Sequence, residues 1–258
     1  MQVTRREGLR LGIAGLAGIG ASAIMPYAAH AQAMTGDSYE AAGGKISIHP
    51  VSHASFVMTV PGPVIYNDPV GGKAAYDGMP EPDLILITHE HPDHFNVETL
   101  QAITGEGTKL VANPSVYEKL PDTLKGKATS IANGERMEAG GVAIEAIPAY
   151  NTTQDRLKYH PKGRDNGYVL NVAGKRVYIA GDTEDIPEMR ALKDIFIAFV
   201  PMNLPFTMDA DQAASAVAEF GPEYVYPYHY KGSDPQAFAN NLEKAEADTE
   251  VVMGPWYG

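Results

Sequence analysis

Twelve residues, Leu84–Phe95 (LILITHEHPDHF), constrain what this chain can become more than any other stretch. The apolar run Leu84–Ile87 is followed by Thr88 and then by His89, His91, Asp93 and His94, crowded into six positions. A continuous apolar run bounded by polar residues reads as a strand buried on both faces, so the cluster sits where a core strand opens into a loop. Imidazole nitrogens and a carboxylate suit zinc in an open catalytic site, and also iron or manganese. In an extended or turning segment, His89 and His91 converge on one ion while Asp93 and His94 point towards a second. The competing reading is a solvated loop that happens to be rich in histidine. Three of the chain's eight histidines crowd here, a density that favours the metal.

At 258 residues with 44% hydrophobic composition, the chain is long enough for one sizeable α/β domain, and its alternating motifs offer no point at which to cut it. The absence of cysteine excludes disulfides and thiolate metal sites, so any ion must be held by His, Asp, Asn, Tyr or water. The formal charge is −12; residues 1–33 hold three arginines and one glutamate, which leaves 17 basic and 31 acidic residues beyond them. A surface that acidic argues against nucleic acid or an anionic membrane as the main partner and leaves a small-molecule substrate.

Residues 1–33 read as a targeting segment: Thr4–Arg10 supplies a charged start with paired arginines, Leu11–Met25 is apolar and glycine-rich, and Ala29-His30-Ala31 offers a small-residue cleavage site. The segment resembles a twin-arginine export signal, which implies a periplasmic or exported enzyme with no stable membrane anchor after cleavage. The apolar run is short of the roughly 20 residues of a comfortable span. Residues 34–44 read as a linker and 45–258 as the domain.

Lys45–Pro50, Ser55–Val60 and Val64–Asn67 alternate as strands; Asp68, in Asn67-Asp68-Pro69, reads as a turn cap ahead of an acceptor behind a metal ligand. Gly71–Pro82 is a loop expected to overhang the site. A helix near Val97–Ile103, a strand at Lys109–Ala112, a helix around Ser115–Leu120 and a strand at Gly140–Ile147 follow. Gly167–Val172 and Lys175–Ala180 form a hairpin that ends in Gly181-Asp182-Thr183; a carboxylate there has two oxygens and can bridge two cations. The alternative is that Asp182 caps the next helix, Pro187–Lys193. Ile195–Pro201 is a buried strand, the methionines and phenylalanine of Met202–Met208 read as core packing ahead of a hydrophobic wall of the pocket, Asp209 and Gln212 make a capping box, and Tyr224–Tyr228 delivers His229. A last helix, Pro235–Ala245, and a short strand, Glu250–Met253, complete the chain.

His89-Glu90-His91-Pro92-Asp93-His94 resembles the HxHxDH signature of the metallo-β-lactamase-fold hydrolases, and the likeness covers essentially everything after residue 44. A flavodiiron-type relative would carry Glu where this chain has His91, so the resemblance is to the hydrolytic branch. The order of motifs is similar to the ascorbate-lactonase-like proteins and, more distantly, to the phospholipase D that cleaves N-acyl phosphatidylethanolamine. The resemblance implies a four-layer αββα sandwich of two mixed sheets face to face with outer helices, and two divalent metal ions, zinc ahead of manganese or iron. It implies as metal ligands His89, His91, Asp93, His94, the strand-tip Asp182 and the last ligand His229. It also places His53, in Ser52-His53-Ala54-Ser55, near the metals as a partner that orients a ligand.

One departure stands out. Where relatives carry a third histidine for the first metal, this chain has Ala149-Tyr150-Asn151, and Asn151, Tyr150, His160 from the following loop or water are the candidates to fill the place, with His160 preferred. Asp93, His53 and His160 are the candidate catalytic residues; His53, His160 and Tyr230 are candidates for orienting substrate or protonating the leaving group. The expected chemistry is attack of a metal-bridging hydroxide on an ester, lactone, amide or phosphodiester. The missing histidine motivates the alternative of an exported metal-binding or sensing module with little turnover. A β-lactamase proper is disfavoured by the same gap. Arg156, Lys158, Lys162 and Arg164 read as a solvated basic loop.

Overall fold

Strand β5 (Leu84–Ile87) is the axis of the molecule: all four side chains are fully buried, Leu84 and Leu86 on one face and Ile85 and Ile87 on the other. The computed structural model describes residues 36–257, so the proposed export leader lies outside the described residues. Two seven-stranded sheets account for them. The first runs in chain order from β1 (Asp37–Ala41) through β2 (Gly44–Ser52), β3 (Ser55–Thr59), β4 (Val64–Asn67), β5 and β6 (Lys109–Ala112) to β7 (Ala128–Ser130). The second runs from β8 (Arg136–Ala139) through β9 (Val142–Ala149), β10 (Asp165–Val172), β11 (Lys175–Ile179), β12 (Ile197–Pro201) and β13 (Tyr224–Tyr228) to β14 (Glu250–Val251).

The two sheets share one topology. In the first, β1 to β4 pair antiparallel and β4 to β7 parallel; in the second, β8 to β11 pair antiparallel and β11 to β14 parallel. The switch therefore falls at equivalent strands, β4 and β11, whose ends lead into Asp68 and Asp182. Likewise His53 lies in the β2–β3 loop and His160 in the β9–β10 loop. A crevice where strand order switches is where open α/β sheets place ligands.

The sheets meet face to face over one apolar cluster. Leu84 and Leu86 of the first sheet pack with Tyr168, Ile197 and Tyr226 of the second, and Phe56 stacks on Phe199 at 4.1 Å across the interface. Outside the first sheet lie α1 (Val97–Ile103), α2 (Pro114–Lys119) and α3 (Asp122–Lys125); outside the second lie α4 (Pro187–Arg190), α5 (Ala210–Phe220) and α6 (Pro235–Lys244). The helix ends are written in the sequence: Asn96 and Asn113 cap α1 and α2 with their side chains, and Asp209 with Gln212 closes the capping box of α5. The four-layer αββα sandwich is thus the observed fold. Among the described residues no helix is long and apolar enough to cross a membrane.

Three expectations change. Part of the expected linker is β1, which pairs with β2 from Asp37↔Ile48 to Ala41↔Gly44 and buries Tyr39 in the core. The helix expected over Pro187–Lys193 is a single turn, Pro187–Arg190. The loop Gly71–Pro82 contributes no residue to the cleft lining, and its Tyr76 is drawn against Tyr66 at 5.1 Å on the outer face of the first sheet.

Candidate metal centre

After β5 the chain makes a turn in which the amides of His94 and Phe95 both donate to the carbonyl of His91, at 3.0 and 2.8 Å. That turn divides the motif. His89 and His91 face one group with His160 and Asp182, while Asp93 and His94 face a second with His53 and His229; within each group the potential ligand atoms lie within 4.8 Å of one another. Glu90 points away and ties the motif to α2 through Lys119 Nζ at 2.7 Å and the Ser115 hydroxyl.

Asp182 stands between the groups. Its Oδ2 is 3.8 Å from His89 Nε2, 3.4 Å from His160 Nε2 and 3.2 Å from His229 Nε2, and its Oδ1 is 3.4 Å from His94 Nε2. Ligands bound at about 2.0–2.1 Å around a tetrahedral ion stand roughly 3.4 Å apart, so these separations suit a shared cation. The Nε2 atoms of His89, His94, His160 and His229 and Oδ1 of Asp182 are buried with no hydrogen-bond partner. Buried polar atoms are ordinarily paired. Five orphans facing one another fit cations, and a set of nitrogens and carboxylate oxygens without sulfur fits zinc, manganese or iron.

The opposite ring nitrogens of His94, His89 and His160 are held from behind, whereas Nδ1 of His229 has no partner among the described residues. His94 Nδ1 donates to Asp68 Oδ2 at 2.8 Å; Asp68 also accepts from the Thr88 amide and hydroxyl, both at 2.7 Å. Since the Thr88 proton goes to Asp68, His89 Nδ1 at 3.0 Å must donate to that hydroxyl oxygen. His160 Nδ1 donates to Asp165 Oδ2 at 2.9 Å, and Arg164 clamps Asp165 at 2.7 and 2.9 Å. Each partner fixes the tautomer that leaves Nε2 with its lone pair on the metal side. His53 Nδ1 meets Tyr257 Oη at 2.7 Å and its Nε2 meets Asp93 Oδ2 at 3.1 Å.

The backbone is strained in the same place. His53, Asp68 and His229 adopt positive φ of 54°, 41° and 46°, a left-handed conformation costing about 1–3 kcal/mol each and sustained only where the surroundings impose it. His229 N donates to the His53 carbonyl at 3.0 Å, His53 N to Trp256 O at 3.2 Å and Asp68 N to Leu86 O at 2.9 Å. Gly181 is equally constrained, with φ 66° and a notional Cβ only 2.7 Å from Asn166 O. Only glycine can therefore precede Asp182.

Electrostatics divide the imidazoles. Burial pushes His89, His91 and His53 below their ordinary range, and neighbouring histidines add to this. Burial opposes charge on His94 and His229 as well, but the Asp182, Asp68 and Asp93 carboxylates outweigh it; His94 is raised and His229 is pushed up to about 10. Burial resists ionisation of Asp93 and Asp182, yet the surrounding imidazoles hold both well below the usual carboxylate range. The pocket demands positive charge.

The place left by the missing third histidine is resolved in space. Asn151 is turned away, its Nδ2 donating to Arg156 O at 3.0 Å and Phe206 O at 2.8 Å, and Tyr150 Oη donates to Glu188 at 2.9 Å. His160 joins the His89 group instead. Asp68, expected as a turn cap, is instead the buried carboxylate behind His94. The basic loop is not simply solvated: Arg156 pairs with buried Glu184 at 2.6 Å and Arg164 with Asp165. Phe206, expected in the core, is exposed and lines the cleft, while Met202 and Met208 are buried as expected. Tyr230 packs edge-on against Tyr257 at 4.9 Å, and it is Tyr257 that lines the cleft. Asp165 and Tyr257 carried no signal in the sequence, being an Asp among loop residues and a tyrosine at the chain end.

The fold and this His/Asp centre define a metal-dependent hydrolase of the metallo-β-lactamase fold. Residues 47–229 match the β-lactamase superfamily domain, and the chain belongs to that superfamily and, within it, to the UPF0173 metal-dependent hydrolases. It is similar to the UPF0173 metal-dependent hydrolase of Thermococcus onnurineus, 31% identical over 81% of this chain and 97% of that protein. A crystal structure from Parabacteroides distasonis, of a protein assigned as a metal-dependent hydrolase, is 42% identical, covers 87% of this chain and 100% of its own, and has a TM-score of 0.79. A metallo hydrolase from Ignicoccus hospitalis is 29% identical over 81% of this chain and 95% of its own, with a TM-score of 0.67.

Proposed function

We propose that the protein is an exported hydrolase that cleaves an ester, lactone, amide or phosphodiester bond at a centre of two divalent cations, zinc ahead of manganese or iron. His89, His91 and His160 would hold one, Asp93, His94 and His229 would hold the other, and Asp182 would serve both. The observation that carries this is the convergence of four orphaned Nε2 atoms and one orphaned Asp182 oxygen, all buried. When bound, such ions supply Lewis acidity and bring the pKa of water towards about 7.

The chain's own residues do the rest. Asp68, Thr88 and Asp165 keep three imidazoles in the tautomer that presents Nε2, so no rotamer has to be ordered when the site fills. Asp93, with its side chain about half exposed, lies at the cleft floor, and His53 beside it, bracketed by Tyr257 and Asp93, orients the substrate. Pro92 and Tyr159 line the cleft with His91.

The test is a panel of nitrophenyl esters, lactones and bis(nitrophenyl) phosphate, assayed with zinc- and manganese-loaded protein alongside metal stoichiometry. Metal-dependent turnover with two ions per chain is expected; one tightly bound ion with no turnover on any compound refutes the reading. The alternative of an inert metal-binding module rests on the missing histidine, and the grouping of His160 with His89, His91 and Asp182 supports the hydrolase reading over it. Export rests on the arginine pair of the leader, so Arg5→Lys with Arg6→Lys should retain the protein in the cytoplasm; undiminished export refutes that part alone.

A further inference from the structure

Among the described residues, four large hydrophobic side chains are exposed: Leu157, Leu204, Phe206 and Met253. The first three lie on the two loops, 152–164 and 202–209, that meet beside the His160 group. Singly exposed apolar residues need no explanation, but an exposed aromatic that lines a cleft does. Phe206 is 41% exposed and lines the cleft together with Tyr159, whose ring meets it edge-on at 5.0 Å. Tyr159 directly precedes His160 in the chain, and the cleft holds about 690 Å³, a size typical of small-molecule sites of roughly 300–1,000 Å³.

These loops are fastened to one another. Asn151 Nδ2 donates at once to Arg156 O in the first and Phe206 O in the second, and Arg156 bonds Thr207 O at 2.8 Å while pairing with Glu184. Asn151 N also donates to the carbonyl of His160 at 2.8 Å. The residue standing where relatives have a ligand is thus the staple that sets both the His160 loop and the aromatic pair.

We propose that Tyr159 and Phe206 form a preorganised wall for an apolar group of the substrate, a medium-length acyl chain, lying beside the ion that His89, His91 and His160 would hold. The proposal rests on the hydrolase reading above. A partly exposed aromatic pair next to metal ligands lowers the cost of binding, because the two rings already hold one another in place when the apolar group arrives.

Straight-chain hydroxamates separate the two ideas, since the head group chelates metal and the tail reports the wall. Calorimetry on the zinc-loaded protein should show acetohydroxamate binding and affinity rising with chain length. A fully buried methylene is worth about fourfold and a half-covered one about twofold, so octanohydroxamate should bind roughly 50-fold more tightly than acetohydroxamate. Phe206→Ala should keep the acetohydroxamate affinity, which shows that its fold and centre are intact, and reduce the gain to below about tenfold. Met253→Ala should leave the series unchanged. If acetohydroxamate fails to bind wild-type protein, the metal-centre reading falls and this inference with it. If it binds but the series is flat, if Phe206→Ala keeps the full gain, or if Met253→Ala removes it, the wall alone is refuted.

Discussion

Asp68→Asn separates a structural carboxylate from one that tunes a ligand. Asp68 accepts from four donors, His94 Nδ1, the Thr88 amide and hydroxyl, and Asn67 Nδ2. Asparagine can retain the Thr88 amide on its carbonyl oxygen, but its NH2 then faces His94 Nδ1–H, donor against donor. The least costly relief is for His94 to move its proton to Nε2, the atom that faces Asp182 and the second ion. Loss of an outer partner of a ligating histidine typically weakens metal binding 10–100-fold, or about 1.4–2.7 kcal/mol. The first ion should be nearly untouched, because His160 is held by Asp165 and His89 by Thr88. Competition of zinc against a chromogenic chelator, followed by cobalt substitution to count filled sites, should show one affinity falling by one to two decades and the other changing less than about threefold. Asp165→Asn should produce the mirror image. Equal weakening of both sites by either variant, or none, would refute the division of ligands drawn above.

Stability of the metal-free protein should peak near pH 6.5. His89, His91 and His53 have depressed pKa values, so their contribution is present above the unfolded value of 6.5 and is lost as pH falls below it. His94 and His229 are raised, so theirs is complete below 6.5 and is lost as pH rises, for His229 through about 10. Thermal melts after chelation should show both limbs, and zinc should abolish the alkaline one; a monotonic profile contradicts the assignment. Gly181→Ala should cost about 2–4 kcal/mol, from left-handed strain plus the clash with Asn166 O, read by urea denaturation; a loss below about 1 kcal/mol would show that the turn relaxes. Asn151→Ala leaves the Phe206 carbonyl without its Nδ2 donor and takes one of two donors from Arg156 O, which keeps the Tyr159 amide; it should cost about 1 kcal/mol and expose loop 152–164 to limited proteolysis, and unchanged protection would mean that Arg156 alone fastens it.

Local pattern was enough to specify the HxHxDH segment, the strand that delivers it, the helix caps and the strand tips carrying Asp182 and His229. Those features are short-range: apolar periodicity selects the strand, and Asn or Asp before a helix satisfies its first amides. What only the tertiary structure decided was which side chains meet. Asp68 reads as a turn residue because Asn-Asp-Pro is turn chemistry, and it became a buried acceptor because β4 lies beside β5, 20 residues on. Tyr257 reaches His53 across 204 residues, and His160 lies 3.4 Å from Asp182 because its loop is pinned by Asn151 and Arg164. Spacing in a sequence names candidate ligands within one turn or one strand tip; coordination joins atoms brought together by sheet pairing and packing, and those long-range contacts are fixed only when the two sheets close on each other.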